Sequence, residues 1–140
     1  MLLLSVFIIL LNVNPAIDNS FLHGEWDGKE RIRIKVSSLG IDNWFDVDFK
    51  ARFGKDGTFN LTTGNSFYDT ALDGYKEDNG LAYDKYKLIP TKEPNVFDLK
   101  LFDEDSKDAS IHRLEKLRDD EVVLKLVLSN GKKKDVILRK

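Results

Sequence analysis

The chain contains no cysteine. Disulfides, thiolate metal sites, cysteine nucleophiles and a lipid anchor on cysteine are therefore all excluded. An exported protein of this composition must be held together by its core alone, which suits a closed sheet better than a loop-rich scaffold. Histidine is nearly as scarce. His23 and His112 are the only two, they fall in different segments, and no H-E-x-x-H spacing joins them, so a zinc site would need carboxylates to complete it. There is no G-x-S-x-G nucleophile elbow and no glycine-rich phosphate loop. Net charge is only −2, which provides no electrostatic footprint for nucleic acid. The one dense basic run, Lys132-Lys133-Lys134, follows a turn and reads as a solvated hairpin tip. Asp103 to Asp108 superficially resembles a calcium loop, but it lacks the central glycine and places Lys107 where a ligand belongs. These absences lead to the expectation of a non-enzyme with no cofactor, no metal, no nucleic-acid partner and no membrane span.

What is present begins with a leader. Leu2 to Leu11 is apolar apart from Ser5, about half the length a bilayer-spanning helix needs. Asn12, Asn14 and Pro15 end the run, and Ala16 supplies a small residue for cleavage. Residues 1–16 thus read as a signal peptide and 17–140 as a single domain, with a secreted or periplasmic location. With 41% apolar and 33% charged residues, the chain is composed like a folded domain and not a disordered one.

Period two dominates the remainder, placing alternate side chains on opposite faces of strands. Ile32, Ile34 and Val36 alternate with Arg31, Arg33 and Lys35. Phe45, Val47, Phe49, Ala51 and Phe53 alternate with Asp46, Asp48, Lys50 and Arg52. Gly54-Lys55-Asp56-Gly57 turns the chain into Thr58–Thr63, where Phe59 and Leu61 continue the apolar face and Asn60, in a glycosylation triplet, points outward. Gly64 to Gly80 is the least regular stretch, readable as a bent strand or as a loop with one helical turn. Tyr83–Ile89 and Val96–Phe102 form a further hairpin, and Ile111–Leu117 a short strand. Val122 to Leu128 pairs through Asn130-Gly131 with the last strand; a loop of about three residues would set Leu126 against Val136 and Leu124 against Leu138. The count is eight or nine strands with short connections. The expected fold is all-β, an antiparallel up-and-down (meander) β-barrel of about eight strands, because closure removes sheet edges.

Three features carry a family resemblance. Gly24-Glu25-Trp26 stands just after the leader and before the first strand. Phe53-Gly54-Lys55-Asp56-Gly57-Thr58-Phe59 forms an aromatic-turn-aromatic hairpin, and Ile111–Leu117 followed by Val122–Leu126 forms the closing strands. Together they resemble the lipocalin-like, or calycin, domains, in particular the bacterial lipocalin-like type. The resemblance covers most of the chain by layout but few residues by motif, and the disulfide of secreted animal lipocalins is missing. It implies that Trp26 closes one end of the barrel beneath a stacked arginine, Arg139 first and Arg113 second, both structural. It also implies a small hydrophobic ligand in the barrel interior, lined by Phe45, Phe49, Phe59, Tyr86 and Phe97. The alternative is a protein-binding or inhibitory module with a filled core, engaging a protein partner through loop 64–80, where Phe67, Tyr68, Leu72 and Tyr75 lie.

Overall fold

The computed structural model describes residues 19–128 and 130–140; the leader expected over 1–16 lies outside them. Eight strands follow one another: β1 Gly24–Val36, β2 Ile41–Phe53, β3 Phe59–Thr63, β4 Lys85–Pro90, β5 Val96–Phe102, β6 Ala109–Arg118, β7 Glu121–Val127 and β8 Lys133–Arg139. One α-helix, α1, spans Ser66–Asp78 between β3 and β4. All strands belong to one antiparallel sheet in the order β3-β2-β1-β8-β7-β6-β5-β4. That order is a ring opened between β3 and β4, so the fold is the up-and-down β architecture read from the sequence, strongly curled into a half-barrel. The two end strands meet at a single bridge, Thr58 to Lys85. There the Phe59 N–H donates to Asp84 C=O at 2.8 Å and the Tyr86 N–H to Gly57 C=O at 2.9 Å.

The alternating rows behave as period two demands. Ile32, Ile34, Val47, Phe49, Phe53 and Phe59 are buried, and the charged residues between them face water. Each fully buried side chain of this size contributes roughly 1.5–3 kcal/mol.

Two expectations need correction. The stretch 64–80 is neither a bent strand nor a single helical turn; it holds a 13-residue helix. Asn65 caps it, its Oδ1 accepting from the Phe67 N–H at 3.0 Å. Leu72 and Tyr75, three apart, turn inward. The β7–β8 register is also shifted by two. Leu124 stands opposite Val136 and Leu126 opposite Lys134, because the hairpin is centred one residue earlier than expected, with the Leu128 N–H donating to Lys132 C=O at 2.8 Å. A slip of two keeps every face the same, so the apolar rows survive. Lys134 shares the inner face with Val136 and Leu138 in either register, and the slip sets it opposite Leu126.

The seam between β1 and β8 is short. Only Asp27↔Arg139 and Gly28↔Leu138 pair. Gly28 leaves no room for a side chain: a Cβ there would lie 2.6 Å from Phe49 Cζ and 2.8 Å from Leu138 Cδ2. Continuing the ladder would set Glu30 opposite Val136 and Ile32 opposite Lys134. Instead the strands part, and β1 from Lys29 to Val36 pairs with β2 alone. β2 in turn pairs with β3 only over Phe49–Phe53. The far half of the β1–β2 hairpin is thus a two-stranded ribbon standing clear of the ring. Lys29, Arg31, Arg33 and Lys35 flank its free β1 edge, charge of the kind that deters further strand pairing.

Candidate functional site

Helix α1 packs beneath the ribbon and leaves a groove beside it. Ile32, Ile34 and Val36 of β1 form one wall; Phe67, Ala71 and Tyr75 of α1 form the other; Leu128 and Lys134 close the far side. The groove, open to solvent along one side, has a volume of about 1090 Å³. The helix is capped at its C-terminal end, where Asn79 Nδ2 donates to Tyr75 C=O at 2.8 Å. On the groove's margin stand Leu39, Trp44 and Phe67, exposed by 67%, 54% and 43%. Phe67 comes from α1, whereas Leu39 and Trp44 come from the turn and second strand of the β1–β2 hairpin, so the groove has exposed apolar side chains on both sides, a feature of binding surfaces.

One end of the groove is polar: Lys134 lines it, and its partner Glu30 lies beside the groove and not among the lining residues. Lys134 Nζ lies 2.5 Å from Glu30 Oε2, and the Glu30 side chain is only 11% exposed. The same Nζ sits 5.1 Å from the centre of the Tyr75 ring. Tyr75 is 7% exposed, and its hydroxyl oxygen is buried without a hydrogen-bond partner. Burial raises the Tyr75 pKa, and the nearby Glu30 charge raises it further, so the phenol keeps its proton. A buried hydroxyl with no partner forgoes a bond that a bound molecule can supply.

The residues singled out from the sequence do not converge on this groove. Phe59 and Tyr86 pack with Phe53 inside the ring, at 5.3 and 5.1 Å between centroids, and Tyr86 Oη donates to Gly54 C=O at 2.9 Å. Phe97 lies beside Phe21, 5.8 Å away. Phe49 faces Tyr75 at 6.4 Å. Phe45 is half-buried on the ribbon, opposite Ile32. None of these five is among the groove's lining residues. In the 64–80 stretch Leu72 and Tyr75 are buried and only Phe67 is well exposed, so it is not an aromatic loop. Trp26 is fully buried, its Nε1–H donating to Leu22 C=O at 2.8 Å. The cation over its ring is Lys140, 5.0 Å from the centroid, and not Arg139. Arg139 points outward and bonds Glu121 at 2.7 Å, because its neighbour Leu138 takes the inward position. Arg113 pairs on the outer face with Asp98. Asn60 is exposed.

His112 is buried on β6, where it ties three segments together. Its Nδ1 accepts from the Val127 N–H at 3.2 Å, so Nε2 carries the proton and donates to Gly80 C=O at 3.1 Å. Burial lowers its pKa, against the opposing effect of that carbonyl.

Among the described residues no group of three or more His, Cys, Asp or Glu could hold a metal ion, and no helix is long and apolar enough to cross a membrane. No protein-family model, curated protein or solved structure matches the chain.

Sequence reasoning passed over Glu30, read Lys134 as part of a solvated hairpin tip and read Tyr75 as an aromatic of a loop. Glu30 was within reach: the row Trp26, Gly28, Glu30, Ile32 runs along one face at period two. Lys134 was equally so, since it shares a face with Val136 and Leu138, whereas the inward position of Tyr75 required the helix.

Proposed function

We propose that this protein is a lipocalin-like binder of a small hydrophobic molecule, secreted or periplasmic, and that the molecule occupies the groove between the β1 ribbon and α1 in place of the ring's interior. One observation carries the reading. The groove joins an apolar wall of Ile32, Ile34 and Ala71 to a buried hydroxyl, on Tyr75, that has no partner. Apolar lining with few polar groups at one end is the usual make-up of a small-molecule site. The ring's interior, by contrast, is taken up by Phe53, Phe59 and Tyr86 packed on one another. Gly24-x-Trp26, the meander order and the single curled sheet support the lipocalin-like assignment.

Trp44 provides the test. It stands on the groove's rim, whereas Trp26, the other tryptophan, is fully buried and does not line the groove. Titration with fatty alcohols, fatty acids and retinoids should give a saturable change in Trp44 fluorescence, retained in Trp26→Phe and lost in Trp44→Phe. The absence of any saturable change, together with no co-purifying small molecule in native mass spectrometry, overturns the reading. Export is tested separately: Met1 retained in material recovered outside the cytoplasm contradicts it.

A further inference from the structure

We infer that the free edge of β1 takes up an extended acidic peptide as an added strand, one whose carboxylate residues alternate with apolar ones. The inference goes beyond the small-molecule reading and stands whether or not that reading holds.

Beyond Gly28 neither β1 nor β8 has a partner on the side where the two strands part. There β1 pairs only with β2, and β8 from Lys133 to Ile137 only with β7. The space between them follows β1 along its length. Residues 27–29 line it at the fork, 29–31 come next, and every residue from 31 to 39 lines the groove beyond. One face of a strand supplies every second residue, so an unbroken run of lining residues means that the space borders the strand's edge. Residues 30–36 bond to no turn or loop either, so alternate N–H and C=O groups along that stretch face the space unpaired. Seven residues of strand span about 23 Å, room for a peptide of similar length.

The rows of β1 set the sequence such a strand needs. Lys29, Arg31, Arg33 and Lys35 stand on the outer face, and Ile32, Ile34 and Val36 on the inner. β2 already lies against these rows from the other side and matches them. Asp48 stands opposite Lys29, Asp46 opposite Arg31 and Phe45 opposite Ile32. Arg31 and Arg33 hold ion pairs with Asp46 and Asp42, whereas Lys29 and Lys35 hold none among the described residues and remain for a newcomer. A strand on the free edge meets the same two rows. Opposite charges across a strand pair stabilise it, and like charges oppose it. Across the gap β8 offers Lys133 and Asp135 on its outer face, one charge of each sign, so β1 decides the preference. The charges that turn away a neutral or basic strand thus admit an acidic one, and strand addition to a free edge is a general mode of peptide recognition. Because its apolar side chains enter the groove, such a peptide and a small molecule held there exclude each other.

The test uses two end-capped, fluorescently labelled heptapeptides followed by anisotropy. In one, three aspartates alternate with four valines; in its twin, lysines replace the aspartates. The wild type should bind the aspartate peptide at least about tenfold more tightly than the twin. The double variant Lys29→Glu, Lys35→Glu, shown to be folded by its melting curve, should reverse that order. Hydrogen exchange followed by NMR should show alternate amides between Glu30 and Val36 slowed by the bound peptide, which charge attraction alone would not produce. Equal binding of the two peptides by the wild type, an unchanged order in the double variant, or binding without slowed amides in β1 overturns the inference. β2 over residues 41–48 carries the same acidic pattern on an edge that β3 leaves uncovered, so a second copy of this chain is the competing occupant. A dimer in sedimentation velocity that the aspartate peptide dissociates assigns the edge to that copy and likewise overturns the inference.

Discussion

Gly28 is pinched between Phe49 and Leu138, and adding one methyl group there tests how the seam is built. In Gly28→Ala the new Cβ would stand 2.6 and 2.9 Å from Phe49 Cζ and Cε2, and 2.8 Å from Leu138 Cδ2. Non-bonded carbons normally rest about 3.5–4.0 Å apart. Phe49 and Leu138 are themselves buried, at 4% and 0% exposure, so neither has open space to swing into. Overpacking of this kind costs about 1–3 kcal/mol, reduced by the few tenths that alanine recovers by restricting the unfolded chain. A net loss of about 2 kcal/mol corresponds to a melting temperature lower by roughly 8 °C in a domain of this size. Phe49→Leu removes the closest atom, Cζ, together with Cε2 and should partly rescue the variant. The double mutant is then expected to be more stable than the summed single losses imply, by about 1 kcal/mol or more. The assay is thermal and urea unfolding of all four proteins. A Gly28→Ala melt within about 2 °C of wild type, or strictly additive losses, refutes the reasoning.

The opposite sign is expected at Gly74, inside α1, where a Cβ meets nothing within 4 Å. Gly74→Ala should stabilise the protein by about 0.5–1 kcal/mol in urea melts, and a loss would show the helix to be tighter than described. Trp26→Ala should cost about 3–5 kcal/mol, whereas Arg139→Ala, on the outer face, should lower the melting temperature far less. Comparable losses would restore Arg139 to the position over the indole. His112 gives a pH dependence. Its folded pKa lies below the ordinary 6.5, so the unfolded chain binds more protons in the window beneath that value. Stability should therefore be complete above about pH 7 and fall towards about pH 5, as protonation of Nδ1 sets it against the Val127 N–H. His112→Gln should flatten that slope; an unchanged slope would assign the pH response to other groups.

The strands were legible because period two is a local signal. The nine residues from Phe45 to Phe53 sort themselves onto two faces without reference to anything distant, and the structure buries the apolar set from Val47 onward. Meander order followed from short connections, since neighbours in sequence become neighbours in the sheet. The helix was not legible. Ser66–Asp78 contains Gly74, Thr70 and several aspartates, weak helix formers that tertiary packing of Leu72 and Tyr75 overrides. The site was less legible still. The aromatics Phe59, Tyr86 and Phe97 were correctly placed towards the ring's interior or its end, but inward position does not distinguish a core from a cavity. What distinguishes the groove is a missing ladder between β1 and β8 and a helix set beside β1, and both are relations between segments, invisible within either one. Arg139 illustrates the same point: the cation over Trp26 comes from the next residue, Lys140, just beyond the end of β8.

The account's central claim is that a small apolar molecule binds beside the ring and not within it. Backbone amide shifts followed by NMR during a dodecanol titration test this most directly. The account predicts saturable shifts concentrated at Ile32 to Val36, Ala71 to Tyr75 and Lys134, the two walls and the polar end of the groove. Shifts concentrated instead at Phe53, Phe59 and Tyr86 would place the ligand inside the ring and contradict it.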